Sequence, residues 1–220
     1  MPVNQHSNQL ASVSPTPLAA ATSGRLVFTS GATGVMIQSD PGLRELYQGR
    51  FVRFTPGVHV EYDPAGLGQC NVTLHYRQPV LGNCLVAREP LAVITLNESI
   101  PWEIEFHGGV AQLLADLRGL RLRSLDLRDS SGVNLLLAKP TGNVYLYVSG
   151  SASDVVIQRP VGVALHVQIA GSASQVRIDA YSFSAVANGI HWQTSDYYAA
   201  ADRYDIRFAG SVSHVTIGCV

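Results

Sequence analysis

One short phrase constrains this chain more than any other feature. YVSGSASDVVI, from Tyr147 to Ile157, returns with nearly the same chemistry as IAGSASQVRI from Ile169 and FAGSVSHVTI from Phe208, and a fainter copy, FTSGATGVMI, begins at Phe28. Each copy runs from an apolar residue through a small-residue turn into an alternating stretch. The first inward apolar residue after each turn falls at Leu113, Val133, Val155, Val176 and Val215, at steps of 20, 22, 21 and 39, the last of which spans roughly two repeats. A fixed period of about 20–22 residues with its own turn and strands is the signature of a solenoid whose coils cannot bury an apolar face alone.

The second half of each coil shows between these markers as Val144–Val148, Val163–Ile169 and Tyr204–Phe208, where apolar and polar residues alternate strictly. Period two with one apolar side predicts half-buried strands. Lys139-Pro-Thr-Gly142 and Arg159-Pro-Val-Gly162 read as corners, because proline cannot donate to a ladder and glycine tolerates positive φ. At the other corner, Gly150–Ser153 and Gly171–Ser174 are small where a bulky side chain would strike the next coil. A calcium-binding turn needs an aspartate there, and Gln175 and His214 replace Asp154 in the other copies. The predicted fold is an all-β, single-stranded β-solenoid, β-helix-like, with coils of about 20–22 residues.

This pattern resembles the adhesin-like, or toast-rack, β-solenoid domains of bacteria, in which glycine/serine/alanine turns lead into V-x-I strands. The blocks Ile100–Gly109, Leu117–Leu127 and Ala201–Ile217 carry the likeness over roughly residues 100 to 217, and Asp40–Phe51 is similar to the usual entry into such domains. The resemblance implies a fold and an adhesive or structural role. It carries no catalytic residues to transfer.

Hydrophobic residues make up 46% of the 220 and charged residues 14%, with a formal net charge of −1. That composition excludes disorder over most of the length and offers nucleic acid or an anionic membrane no global attraction. Arg118, Arg121, Arg123 and Arg128 are interleaved with Asp116, Asp126 and Asp129, which reads as a mixed solvated face. No apolar run reaches the ~18–20 residues of a membrane span, and Leu18–Ala21 is too short for a signal peptide. The expected location is therefore cytoplasmic by default, or the cell envelope if another segment anchors the chain. Cys70, Cys84 and Cys219 fit neither a zinc site nor a redox pair, so reduced thiols are expected, with a Cys70–Cys84 disulfide as the alternative.

In chain order, residues 1–24 read as a flexible tail, 25–99 as the N-terminal β part of a single domain, and 100–220 as the regular solenoid with an irregular insertion at 179–203. Leu43–Gln48 could supply one or two helical turns capped by Asp40. Strands are expected at Phe51–Phe54, Val58–Tyr62, Asn71–Tyr76 and Leu91–Leu96, with a loop over 77–90. Glu103 and Glu105 share one face of a strand with no cleft between them, which argues against an acid/base pair. The seven histidines show no ligand spacing, and no nucleophile elbow or phosphate loop is present.

No catalytic residue, cofactor or metal site is therefore expected. The leading expectation is a non-enzymatic structural or interaction module with an unknown protein or glycan partner. The alternatives are a carbohydrate-binding or carbohydrate-acting solenoid and a self-assembling intracellular scaffold. Candidate interaction residues are Tyr145 and Tyr147 on one strand, His191 and Trp192 in the insertion, and an outward apolar stripe of Leu114, Leu136 and Val156 in a common register. Val220 marks a final coil with no polar cap, which predicts a homodimer through that end of the stack.

Overall fold

In the computed structural model, which describes residues 10–12, 17–18, 21–52, 57–62, 68–75 and 92–220, the chain is all-β with no helix among the described residues. Its strands are β1 (Leu10–Ser12), β2 (Ser23–Phe28), β3 (Ala32–Asp40), β4 (Tyr47–Val52), β5 (Gly57–Tyr62), β6 (Gln69–His75), β7 (Ala92–Asn97), β8 (Pro101–Leu117), β9 (Arg121–Leu137), β10 (Asn143–Arg159), β11 (Ala164–Ile169), β12 (Ala173–Ile178), β13 (Tyr181–Val186), β14 (Ile190–Gln193), β15 (Arg203–Phe208) and β16 (Val212–Cys219). They join into one mixed sheet. Leu43–Gln48 forms no helix: Tyr47 opens β4, and Asp40 instead accepts the Gly42 backbone N–H at 2.7 Å, closing a turn. The loop expected at 77–90 and Cys84, and with it the Cys70–Cys84 pairing, lie outside the described residues.

Strands β8, β9 and β10 are 17 residues each and pair in parallel, with a register shift near the middle where each one bends. The bend splits every long strand into two halves that face a common core. Leu125, Leu146 and Val148 from first halves and Leu135, Val155 and Ile157 from second halves line the same internal space. The markers read from the sequence stack in one row, Leu113 beside Val133, Val155, Val215 and then Val176, and all five are at most 1% exposed. Alternation predicted their inward phase, and burial of these β-branched and leucine side chains supplies the main favourable term in folding.

That row also corrects the sequence reading. Val215 does not lie two coils beyond Val176; it sits between Val155 and Val176. The segment 203–219 is inserted as an inner member of the stack, with β15 paired in parallel to both β10 and β11, and β16 to both β10 and β12. The N-terminal segment does the same at the opposite end, where β2 lies between β6 and β8 and β3 between β7 and β8. The outer members are then covered by antiparallel strands, β4 and β5 at one end and β13 and β14 at the other. The final strand is thus no free edge: Val215 and Ile217 are fully buried, and the Val220 N–H donates to the Arg159 carbonyl at 2.9 Å. This removes the reason given for a dimer through Val220.

A clasp holds the insertion in place. Arg159, only 2% exposed, pairs with Asp179 at 2.6 Å and touches the Cys219 sulfur of the strand between them. Arg159 ends β10 and Asp179 directly follows β12, the two strands that flank β16, so this part-buried pair spans the inserted strand.

The corners explain the Gly-Ser phrase. A Cβ on Gly210 would collide with the Gly150 carbonyl, and one on Gly171 would stand 2.6 Å from the Gly210 carbonyl carbon, so the backbones of neighbouring corners touch. Just beyond, each segment places one residue in the left-handed region: Gly34, Gln112, Gly132, Asp154, Gln175 and His214, with φ from 52° to 67°. The position that varies between Asp, Gln and His in the repeat is therefore a backbone device that bends the strand, and its side chain is of secondary importance.

Two substitutions test this account. Ile157→Ala or Ile178→Ala should cost about 2–5 kcal/mol in urea unfolding, as large-to-small core changes do, and a cost under ~1 kcal/mol would mean the inward phase is wrong. Gln175→Gly should leave stability unchanged or raise it by up to ~1 kcal/mol, because a left-handed conformation costs a side-chain-bearing residue ~1–2 kcal/mol while glycine loses entropy.

Candidate interaction surface

The outward residues of the first strand halves make a two-row grid across six neighbouring strands. One row reads Glu103, Ser124, Tyr145, Asp205, His166 and Gln193. The other reads Glu105, Asp126, Tyr147, Arg207, Gln168 and His191. Neighbours along each row stand about one strand spacing apart, ~4.8 Å. The surface carries Glu103, Glu105 and Asp126 at one end, two tyrosines in the middle, and Asp205, Arg207, His166 and His191 beyond them.

Tyr145 and Tyr147 are 48% and 40% exposed, and Asn143 donates to the Tyr145 hydroxyl at 2.7 Å. The anchor beside them is Asp205, 3% exposed. Its carboxylate accepts two bonds from Arg207 at 3.0 Å and one from the Tyr197 hydroxyl at 3.3 Å, and lies 3.2 Å from His166 Nδ1. Burial alone would raise the Asp205 pKa, but the bonds from Arg207 and His166 outweigh it and hold the carboxyl below its usual range. Tyr197 packs on the His166 ring with centroids 5.2 Å apart, and the Arg203 guanidinium lies over the Tyr197 ring, 4.9 Å from its centroid. Arg207 thereby presents its half-exposed guanidinium in a fixed place.

At the acidic end, Glu105 is no free acid. Arg25 grips it with two bonds of 2.7 and 2.8 Å, His107 adds a third at 2.8 Å, and the Arg25 guanidinium is the main reason its pKa is lowered. Asp126 beside it moves the other way, raised by burial and by the Glu105 charge. Among the described residues, no three His, Cys, Asp or Glu side chains converge as a metal set.

The structure brings Tyr145, Tyr147 and His191 onto this one surface and separates the other candidates from it. Trp192 sits one residue out of phase with His191, packs partly buried against the core and meets Tyr181 at 5.9 Å, so it braces the end of the stack. Leu114, Leu136 and Val156 lie on the outer side of the second strand halves but do not share a register. Leu114 and Val156 both flank Asn134, whereas Leu136 is level with Asp116 and Gln158. Leu114 and Leu136 instead line a shallow groove of about 660 Å³ with Met36, Gln38, Asp116 and Arg118. Asp205, Arg207, His166 and Tyr197 escaped the sequence reading. The alternation in Tyr204–Phe208 put Asp205 and Arg207 outward, but their neighbours follow from the insertion.

No protein-family model matches the chain, and no curated protein matches it. Among solved structures, the chain is similar to a putative cell adhesion protein from Clostridium sporogenes, with a TM-score of 0.73 at 16% identity, covering 96% of this chain and 100% of that one. A putative adhesin from Bacteroides fragilis aligns over 97% and 98% at 10% identity, but its TM-score of 0.31 supports no argument. The first likeness shows a shared fold.

Asp205→Asn tests the anchor. With a lowered pKa, the carboxylate contributes stability that is present above the ordinary carboxylate range of about 4 and is lost as pH falls through its folded value. The variant should be less stable by about 1.5–3 kcal/mol at pH 7, the usual worth of bonds to a charged group. The gap should close in acid. Equal gaps at pH 7 and in acid, in urea unfolding, would show that the charge is not what matters.

Proposed function

We propose that this chain is a non-enzymatic, adhesin-like interaction module, built as a β-solenoid with coils of about 20–22 residues, that recognises a protein partner through the grid around Tyr145 and Tyr147. The observation that carries this reading is the state of the polar groups on that face. Asp205 and Glu105, the carboxylates best placed for chemistry, are consumed in holding Arg207, His166, Arg25 and His107. What remains exposed on the grid is two tyrosines, the immobilised Arg207, His191, Asp126 and Gln193.

That composition suits recognition. Tyrosine and arginine dominate binding hot spots because they offer large contact areas and directional bonds, and pre-ordering them lowers the entropy lost on association. The carboxylates of Glu103 and Asp126 on one side of the tyrosines and the Arg207 guanidinium on the other also fix the orientation of a partner of complementary charge. The shared fold with a putative cell adhesion protein agrees with this reading.

The test is binding of the immobilised full chain to a panel of purified surface proteins and to a glycan array, with the Tyr145→Ala/Tyr147→Ala variant beside it. The expected outcome is a protein ligand whose affinity falls at least ~10-fold in the variant, the loss of one ~1.4 kcal/mol contact or more. Hits confined to glycans would change the ligand class, and an undiminished affinity would move the site elsewhere.

A further inference from the structure

The end of the stack formed by residues 181–193 differs from every other edge of the sheet. β13 reads Tyr-Ser-Phe-Ser-Ala-Val, and among the described residues it pairs with β12 alone. Natural edge strands are blunted by charge, proline, bulges or brevity, since a bare row of N–H and C=O groups templates pairing with another chain. β13 has six residues, no charge and no proline, and the Ala187-Asn-Gly189 link that follows it is uncharged too. At the opposite end of the stack, β1 has only three residues and β5 exposes His59 and Glu61, with side chains 68% and 62% accessible. Among the described residues, one end is guarded and the other is not.

The core is also incompletely closed there. Phe183, Val186 and Trp192 pack against it but stay partly exposed, and Tyr181, 59% exposed, lies over Trp192. An open strand edge and the apolar end of a core therefore coincide.

We infer that β13 is a self-association surface on which a second copy of this chain seats its own β13, antiparallel, about a two-fold axis near Phe183 and Ser184. The charge pattern selects a second copy. Across a two-fold every residue meets its own kind or a near neighbour, so a charged edge would repel itself, whereas β13 is neutral along its whole length. Antiparallel pairing satisfies both rows of backbone groups and joins the two apolar ends into a continuous core. The contact is isologous and closes at two copies, so it does not propagate into fibres. It also sets two Tyr145/Tyr147 faces in one particle, which would strengthen binding to any surface that displays the partner repeatedly.

The experiment is sedimentation velocity of the full chain over a concentration series, with Ser184→Asp, Ser184→Lys, their equimolar mixture and Val220→Asp. Ser184 is exposed, and a matching thermal transition in each variant would verify that it folds. The wild type should dimerise with rising concentration. Each Ser184 variant alone should weaken the dimer at least ~10-fold through like-charge repulsion, the mixture should restore it as a heterodimer, and Val220→Asp should leave it intact. A wild type that stays monomeric to ~1 mM, a dimer unmoved by both Ser184 variants, or one dissolved by Val220→Asp instead would each overturn the assignment.

Discussion

Strand edges need partners, and the arrangement of this chain follows from that. A parallel ladder leaves a row of backbone donors and acceptors on each outer strand, and it cannot be closed by a short hairpin. Here each terminal segment is inserted one place inward and gains a parallel neighbour on both sides. The vacated ends are taken by antiparallel strands from the connecting segments: β4 and β5 join the two N-terminal members, and β13 and β14 the two C-terminal ones. The two ends are thus built on one plan run in opposite chain directions.

Insertion requires that the corners stack without obstruction, and the small-residue phrases serve that requirement. Gly150, Gly210 and Gly171 come from segments that lie in the spatial order 150, 210, 171; Gly210 leaves room for the Gly150 backbone and Gly171 for that of Gly210, while Gly150 leaves room for the Asp129 side chain. The left-handed residue that follows aligns the bends of all six segments, so that an inserted strand finds the same shape on either side. The Arg159–Asp179 pair then spans β16. Desolvation of Arg159 offsets much of the attraction in this part-buried pair, so its net contribution to stability is small.

The sequence made the strand phase legible and left the neighbours illegible. Alternation identified Leu113, Val133, Leu135, Val155, Ile157, Val176, Ile178, Val215 and Ile217 as inward, and all are at most 2% exposed. A period near 21 says how far the chain runs before it returns, but nothing about which segment it returns beside. The same gap hid the interaction surface. Tyr145 and Tyr147 could be read as outward, yet their contact with Asp205 and Arg207, and the approach of His166 from the far side, exist only because residues 203–208 lie between 143–148 and 164–169. The outward stripe failed for a related reason. Leu136 is two residues from the level of Leu114, and a slip of two keeps a side chain on its face while moving it to another row.

Insertion also orders assembly. Residues 164–178 connect directly to β10 in sequence, yet they must stand one strand place away from it, leaving a slot that only residues 203–219 fill. With the slot empty, β10 and β11 would each expose an unpaired edge, and both sides of the core would be open at Leu146 and Leu165. The pairings of β15 with β10 span 60 residues, so the loop-closure entropy is met before these contacts form. Once formed, they are bonded on both sides, and removing the segment requires breaking two ladders together. These long-range pairings of β15 with β10 and β11 are also the ones that assemble Asp205, His166 and Arg207 into a single surface.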